Sequence, residues 1–196
     1  MLSREEILDH LAQERLFITP LLEQSQIGGG SVDLRLGFNF ILHRRANIPA
    51  LDSMMSGSAA KSEKYQERIT LGRRRELHLH PGEFVLGATL EYIALPDFLS
   101  AYVTSRSSWG RAGLVIATAI SVAPGFRGII TLELSNLGVA PLVLRPGVRI
   151  AQIMFDQTKS TKPYGGRYRC PTLPEFGKIH MDHDLKFWGG VNKPQS

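Results

Sequence analysis

The stretch that decides how this chain folds runs from Ser105 to Asn136 and reads S-R-S-S-W-G-R-A-G-L-V-I-A-T-A-I-S-V-A-P-G-F-R-G-I-I-T-L-E-L-S-N. Its opening residues can offer hydroxyls, guanidinium forks and backbone N–H groups to a single anion. They are Arg106, Ser107, Ser108 and Arg111. Residues 129–134 then alternate apolar and polar side chains, which is the period of a strand with one buried face. Glu133 lies on the polar face, so the pattern indicates a phosphorylated ligand with acid–base chemistry beside it.

Short strand-like runs separated by turns continue on both sides of this stretch. They cover residues 32–36, 75–79, 83–88, 90–94, 100–104, 114–117, 129–134, 141–144 and 150–155. The segments His80–Glu83 and Arg145–Val148 are matching Pro-Gly turns. A capping box at Ser3–Glu6 predicts one amphipathic helix that ends at about Arg15. Many short strands and one clear helix predict a mainly β fold, a distorted β-barrel or a jelly-roll-like fold.

Length and composition bound the organisation of the chain. The 196 residues are expected to form a single domain over residues 1–196. Residues 158–196 have no periodicity and are rich in Gly, Pro, Tyr and Arg, so we expect a disordered end or a mobile lid. Lys and Arg number 23 against 18 acidic residues, which suits a polyanionic ligand. A single cysteine, no membrane-spanning apolar run and no signal-peptide pattern predict a cytoplasmic protein without membrane association.

Several kinds of site are excluded by the residues present. A zinc nucleoside deaminase needs H-x-E and P-C-x-x-C motifs, and this chain has one cysteine and no H-x-E, so no zinc site is predicted. His78, His80 and the segment His180–His183 lack a further ligand at metal-site spacing and are interpreted as surface histidines. A Walker loop and a G-x-S-x-G elbow are missing from the sequence. Aromatic residues are not interleaved with basic ones over any long stretch, which argues against nucleic acid as a partner.

The residues alone leave two interpretations of the central stretch. If a turn or short helix begins near Ser107, Arg111 lies one turn further on and can share a face with it. Alternatively, a serine caps a helix and the arginines are only solvated. Glu133 likewise is either a placed carboxylate or part of the exposed face of an edge strand.

In chain order, the motifs of this sequence closely resemble those of the dCTP deaminase branch of the dUTPase superfamily. The matching segments are G-G-S-V-D-L-R-L-G, H-P-G-E-F-V-L-G, R-S-S-W-G-R-A-G-L, P-G-F-R-G-I-I-T-L-E-L, R-P-G-V-R-I-A-Q-I-M-F and P-Y-G-G-R-Y. The resemblance covers nearly the whole chain. It implies a distorted β-barrel that forms a homotrimer with active sites between subunits, and the metal-independent deamination of dCTP to dUTP and ammonia.

The resemblance also implies a role for each matching residue. Glu133 would be the general base that activates water for attack at C4 of cytosine, with Arg111 and Ser107 placing the base and the water. The matching substrate-binding residues would be Arg106, Ser107, Ser108 and Gln152 at the triphosphate, Thr118 and Ala119 at the base edge, Phe126 near the sugar, and Tyr164 and Arg167 in the closing tail. Mg²⁺ would be carried by the phosphates of the nucleoside triphosphate.

Two departures from the family pattern keep alternatives open. Ala123 stands where the family usually has an aspartate that helps dUTP-cleaving members activate water, and this argues against a dUTP diphosphatase or a bifunctional enzyme. Arg169-Cys170-Pro171 stands where relatives commonly place a glutamine. These departures favour a catalytically diverged nucleotide-binding regulator, whereas the retained Glu133 and Arg111 favour an enzyme.

Overall fold

The computed structural model describes residues 1–44, 65–118, 120–159 and 164–178. Helix α1 spans Arg4–Ala12 and begins at the predicted capping box. The Ser3 hydroxyl accepts the Glu6 N–H at 3.2 Å, and the Glu6 carboxylate accepts the Ser3 N–H at 2.7 Å. The helix ends before Arg15 because Glu14 adopts a positive φ of 53°, which turns the chain out of the helix.

The rest of the described chain is mostly strand, which confirms the predicted mainly β class. The strands are β1 (Phe17–Thr19), β2 (Val32–Arg35), β3 (Asn39–His43), β4 (Gln66–Thr70), β5 (Leu77–Leu79), β6 (Phe84–Ala94), β7 (Leu99–Ser105), β8 (Leu114–Ile116), β9 (Ser121–Val122), β10 (Arg127–Asn136), β11 (Leu142–Leu144) and β12 (Arg149–Gln157). A short helix, α2, spans Ser107–Arg111 between β7 and β8.

The described strands form three sheets. The largest has the order β4-β3-β6-β10-β8, and β1 pairs with β6 off this path. The second has the order β2-β12-β7-β9, and the third is the pair β5-β11. The two Pro-Gly turns follow the two strands of this pair, and Gly82 and Gly147 within them have φ values of 78° and 87°. Only glycine adopts such values without strain, so both turns were predictable from the sequence.

One predicted boundary was wrong. The runs 83–88 and 90–94 form one continuous strand, β6, instead of two. The pairing of β10 with β6 shifts register between Ile129 and Thr131, so the irregularity is a bulge and not a turn. Thr89 provides hydrogen-bond partners for backbone groups at the bulge. Its hydroxyl accepts a hydrogen bond from the Ile130 N–H at 2.9 Å and donates one to the Glu91 carbonyl at 2.8 Å.

Strand β10 shows the alternation that the sequence predicted. Ile130, Leu132 and Leu134 are buried, and the intervening Thr131 and Glu133 are half-buried. The buried side chains join one hydrophobic cluster that includes residues from α1 and from all three sheets. Its fully buried large members include Ile7, Phe40, Leu79, Ile93, Leu132 and Phe155. The core therefore fixes β10, and with it the position of Glu133, on an interior strand.

The chain groups into two compact units. The first comprises Met1–Leu42 and Arg68–Glu175, and it contains every predicted site residue that the structure describes. The second comprises His43–Glu67 and Phe176–Ser196, and within it Arg44 forms an ion pair with Glu67. The single domain and the mobile lid expected from the sequence stay predictions. Among the described residues, no helix has both the length and the apolar composition to cross a membrane.

Candidate active site

The junction between β7 and α2 carries the polar cluster of the central stretch. Arg106 is the extended residue immediately before α2, so the helix begins at Ser107. The Arg106 N–H donates to the Ile150 carbonyl at 3.1 Å, and the Trp109 indole N–H donates to the Arg149 carbonyl at 3.0 Å. These two bonds attach the start of α2 to β12.

The side chains of Ser107, Ser108 and Arg111 are exposed on this short helix. Ser107 and Arg111 are four residues apart, so they share a helix face, as the first of the two interpretations requires. None of the three side chains makes a hydrogen bond or ion pair with the described part of the chain. A cluster of uncommitted donors therefore lies directly after Arg106.

A row of polar side chains crosses the second sheet beside this junction. Gln152 on β12 pairs with Asp33 on β2 and with Thr104 on β7. Directly opposite residues of antiparallel strands share a face, and all three are half-buried. Arg106 Nε lies 3.3 Å from Asp33 Oδ1, so its guanidinium reaches across β12. The structure thus brings the predicted phosphate ligands Arg106 and Gln152 onto one face.

Glu133 occupies a different setting, on β10 of the first sheet. Its backbone N–H donates to the Thr118 hydroxyl at 3.0 Å, and its carbonyl accepts the Ala117 N–H at 2.9 Å. Burial raises the pKa of the Glu133 carboxyl above its ordinary value. Within the described part of the chain, the carboxylate has no hydrogen-bond or ion-pair partner. The edge-strand interpretation was wrong, because β10 lies between β6 and β8.

Thr118 is buried beside Glu133, and its side chain is occupied by backbone groups of β10. Its own backbone N–H and carbonyl make no hydrogen bond with the rest of the described chain. These two groups are the kind that reads the edge of a base. Ala119, predicted to act with Thr118, lies outside the described residues.

Two further predicted residues are in contact. The ring centroids of Phe126 and Tyr164 lie 5.7 Å apart, in an edge-to-face arrangement with an interplanar angle of 70°. Phe126 is buried and Tyr164 half-buried, whereas Arg167 is exposed. The structure therefore joins the start of the tail to the turn that precedes β10.

The described tail continues along the same strand as Glu133. The Ile129 N–H donates to the Pro171 carbonyl at 2.9 Å, and the Glu175 N–H donates to the Thr131 hydroxyl at 3.2 Å. Pro171 is buried against Gly128. The tail thus runs along β10, and its contact with Thr131 lies two residues from Glu133 in the strand.

The histidines singled out in the sequence do not form a metal site in the described chain. His78 Nε2 lies 3.0 Å from Glu76 Oε1, and both side chains are exposed. The residues that the structure describes contain no group of three or more His, Cys, Asp or Glu side chains placed to hold a metal ion. The segment His180–His183 lies outside the described residues.

Asp33 and its neighbours were not predicted to take part in the site. Asp33 contacts both Arg106 and Arg149, and Arg149 in turn contacts Glu23. In the sequence, Asp33 and Arg35 follow the alternation of an ordinary solvent-facing strand. The only signal in the sequence was that Asp33 lies within the segment G-G-S-V-D-L-R-L-G, which resembles the family.

Comparison with known proteins agrees with the fold and the motifs. A family model described as dCTP deaminase-like matches residues 1–158. The dCTP deaminase of Haloarcula marismortui is 43% identical over 193 residues, which cover 94% of this chain and 97% of that protein. The "dCTP deaminase, dUMP-forming" of Methanosphaera stadtmanae is 39% identical, with coverage of 94% and 96%. This chain belongs to the dCTP deaminase-like family.

A solved structure shows a similar fold. The 2′-deoxycytidine 5′-triphosphate deaminase from Agrobacterium tumefaciens aligns with a TM-score of 0.60 and 25% identity. The alignment covers 79% of this chain and 46% of that one, so this chain spans less than half of that protein's length.

Proposed function

We propose that this protein hydrolyses the 4-amino group of dCTP and releases dUTP and ammonia. The observation that carries the proposal is Glu133: a half-buried carboxylate with a raised pKa and no partner in the described chain. Strand carboxylates that serve only solubility are exposed or paired. A carboxylate that is neither is suited to exchange protons with a bound water and substrate.

The chemistry follows from where the proton goes. Glu133 takes a proton from water as the oxygen adds to C4 of cytosine. The carboxyl passes that proton to the ring nitrogen N3, which has received the electron pair of the C4–N3 double bond. The carboxylate then moves the remaining proton of the added hydroxyl to the amino group, the C–N bond breaks, ammonia leaves and the C4 carbonyl forms. The raised pKa of Glu133 makes its carboxylate a stronger base toward water, and general acid–base catalysis of this kind typically contributes ~10²–10⁴ in rate. The backbone N–H and carbonyl of Thr118 supply the donor and acceptor that would orient the base edge, while Arg111 and Ser107 place the base and the water.

The triphosphate would bind to the cluster before and within α2. Arg106 and Gln152 share one face, and the hydroxyls of Ser107 and Ser108 are uncommitted. Mg²⁺ enters as part of the substrate, on the phosphate oxygens, which are the hard ligands it prefers. The Phe126–Tyr164 pair would cover the sugar, and the tail with Arg167 would close over the nucleotide.

We further propose a homotrimer whose sites lie between subunits. The support is that no hydrogen bond or ion pair joins the two groups in the described chain: Glu133 lies on β10 of the first sheet, whereas Gln152 lies on β12 of the second sheet and Arg106 follows β7. A subunit interface would let the Glu133 group of one copy complete the phosphate cluster of another. Mixing Glu133→Gln chains with Arg106→Ala chains tests this, since hybrid trimers should regain activity that neither variant has alone. No regain after subunit exchange would place both groups in one subunit.

The assay for the reaction follows ammonia and pyrophosphate separately. Wild-type protein is incubated with Mg²⁺ and dCTP, CTP or dUTP. Ammonia from dCTP should disappear in Glu133→Gln. The matched control is Glu5→Gln, which removes an exposed carboxylate on α1. Tight dCTP binding without ammonia in the wild type would instead identify a nucleotide-binding regulator.

A second candidate is a bifunctional enzyme that also releases pyrophosphate. It is favoured by the Methanosphaera stadtmanae protein, which is called dUMP-forming and is nearly as similar as the plain dCTP deaminase. Ala123 opposes it, because this residue brings no carboxylate and its carbonyl is used by the Phe126 N–H at 3.2 Å in the turn. Pyrophosphate formed in step with ammonia from dCTP would establish the bifunctional reaction.

A further inference from the structure

Asp33 is an acidic side chain in the middle of a predicted triphosphate site. It is half-buried on β2, directly opposite Gln152, and forms an ion pair with Arg106. By charge alone, a carboxylate there repels phosphate. We propose that Asp33 is a positioning residue that aims the Arg106 guanidinium at the phosphate chain of the substrate. The inference rests on the proposed nucleotide site but not on turnover.

Arg149 holds the Asp33 carboxylate through the oxygen that does not contact Arg106. Arg149 Nη1 lies 3.4 Å from Asp33 Oδ2, and Arg149 Nη2 donates to Glu23 Oε2 at 2.6 Å. Arg149 also donates to the Ser25 carbonyl at 3.1 Å. The Arg149 side chain is only 19% exposed, so this arginine is committed to holding the carboxylate and not to a ligand.

The same geometry leaves the outer end of Arg106 available. Asp33 is contacted through Nε, and the two terminal nitrogens of Arg106 have no hydrogen-bond or ion-pair partner in the described chain. The Arg106 side chain is 37% exposed, compared with 16% for Asp33. The Asp33 carboxylate therefore holds the Nε edge of the guanidinium. The edge formed by the two terminal nitrogens, which can bind phosphate bidentately, is left toward solvent.

Charge balance permits this arrangement. Arg149 and Arg35 both pair with Glu23, so the connected group of three arginines (Arg35, Arg106 and Arg149) and two carboxylates (Glu23 and Asp33) keeps a net positive charge. An arginine free to rotate would lose rotamer entropy on binding, and an arginine already fixed does not. If Asp33 positions Arg106, removing the Asp33 carboxylate should weaken phosphate binding. If Asp33 acts only through its negative charge, removing it should strengthen phosphate binding.

The test measures binding of inorganic tripolyphosphate and dCTP to full-length Asp33→Asn by calorimetry. Positioning predicts affinity for both lowered roughly tenfold, as for one charge-assisted hydrogen bond, with deoxycytidine affinity unchanged. If Asp33 acts only through its charge, Asp33→Asn should bind both tripolyphosphate and dCTP more tightly, and that result would overturn the proposal. Asp156→Asn is the matched control, because Asp156 also lies on the second sheet and pairs with the Met1 amine, away from Arg106.

Two further variants separate positioning from folding. Arg106→Lys keeps the charge but not the fork, and it should weaken tripolyphosphate binding by a similar factor; unchanged affinity would sink the proposal. In an Arg106→Ala background, Asp33→Asn should no longer weaken binding. An equal loss there would show that Asp33 acts on the fold and not through Arg106. A wild type that binds dCTP but forms no ammonia would end the deaminase proposal and leave this one standing.

Discussion

Gly128 offers the sharpest test of how the tail is held on β10. Its φ is 144°, and a Cβ atom at this position would lie 2.4 Å from Pro171 Cδ and 2.9 Å from the Pro171 nitrogen. Apolar atoms normally approach to ~3.5–4.0 Å, so Gly128→Ala forces a displacement of about 1 Å. Strand β10 is paired with β6 and cannot yield, so the displacement falls on the tail.

The magnitude follows from what holds the tail at that point. A non-glycine residue at such a φ costs about 1–3 kcal/mol. Moving Pro171 also breaks the Ile129 N–H to Pro171 carbonyl bond of 2.9 Å, which contributes ~0.5–1.5 kcal/mol net. Losing about 1.4 kcal/mol of local protection speeds amide exchange about tenfold. We expect that acceleration at the Ile129 amide, and smaller changes at Leu132 and Leu134 inside the sheet.

Hydrogen exchange, resolved at Ile129 and across residues 164–175, measures this. Gly82→Ala is the matched control, because Gly82 has a φ of 78° and nothing within 4 Å of its added Cβ. It carries backbone strain without a clash, so it should lower stability and leave tail protection unchanged. Equal acceleration at Ile129 in both variants, or none in Gly128→Ala, would refute the docking of Pro171 on Gly128.

Three other predictions follow from buried polar groups. Because burial raises the pKa of Glu133, whose ordinary value is 4.5, and the base must be ionised, kcat should fall on the acid side at a higher pH than an ordinary carboxyl gives; a kcat–pH profile checks this. Burial lowers the pKa of His10 below 6.5, so the folded state favours the neutral ring: stability should be full above pH 6.5 and fall as the pH drops below it, and His10→Phe should flatten that slope in urea titrations. Asn136 is fully buried and donates to the Leu79 and Ala140 carbonyls at 2.9 and 2.8 Å, so Asn136→Ala should lower the free energy of unfolding by ~3 kcal/mol.

Local patterns predicted the fold well where one strand or turn carries its own signal. The alternation of β10, the capping box of α1 and the Pro-Gly turns depend on neighbours in sequence, and all three are present. The break predicted inside β6 was wrong, because a long-range hydrogen bond from the Ile130 N–H to the Thr89 hydroxyl stabilises a bulge there. A single sequence does not show that the two residues meet.

The family and the β fold were predicted from motifs, and both are confirmed. The roles of the individual site residues, the homotrimer and the cytoplasmic location stay predictions. The network of Glu23, Asp33, Arg106 and Arg149 could not be predicted from the sequence. Its members are spread over more than a hundred positions, and each one alone resembles an ordinary solvent-exposed charged residue. These residues differ from solvent-exposed charges in the ion pairs that they form. Which charges pair across strands is set by the strand register.

Glu133 differs from the other carboxylates of the described strands, and the difference makes a last prediction. Asp33, Glu67, Glu91 and Asp156 each have a hydrogen-bond or ion-pair partner, whereas Glu133 has none in the described chain. A half-buried charge without a partner lowers the stability of the fold.

Replacing that charge should therefore stabilise the protein while removing the activity. We expect Glu133→Gln to raise the free energy of unfolding by about 0.5–2 kcal/mol, the usual gain when a functional strain is relieved, and the melting temperature by a few degrees. Since the folded-state pKa of Glu133 is raised, protonation relieves the wild type, so the difference should be largest at neutral pH and close as the pH falls through that pKa. A variant that is less stable than the wild type at pH 7 would mean that the carboxylate has a partner in solution, and such a carboxylate would not be free to take a proton from water.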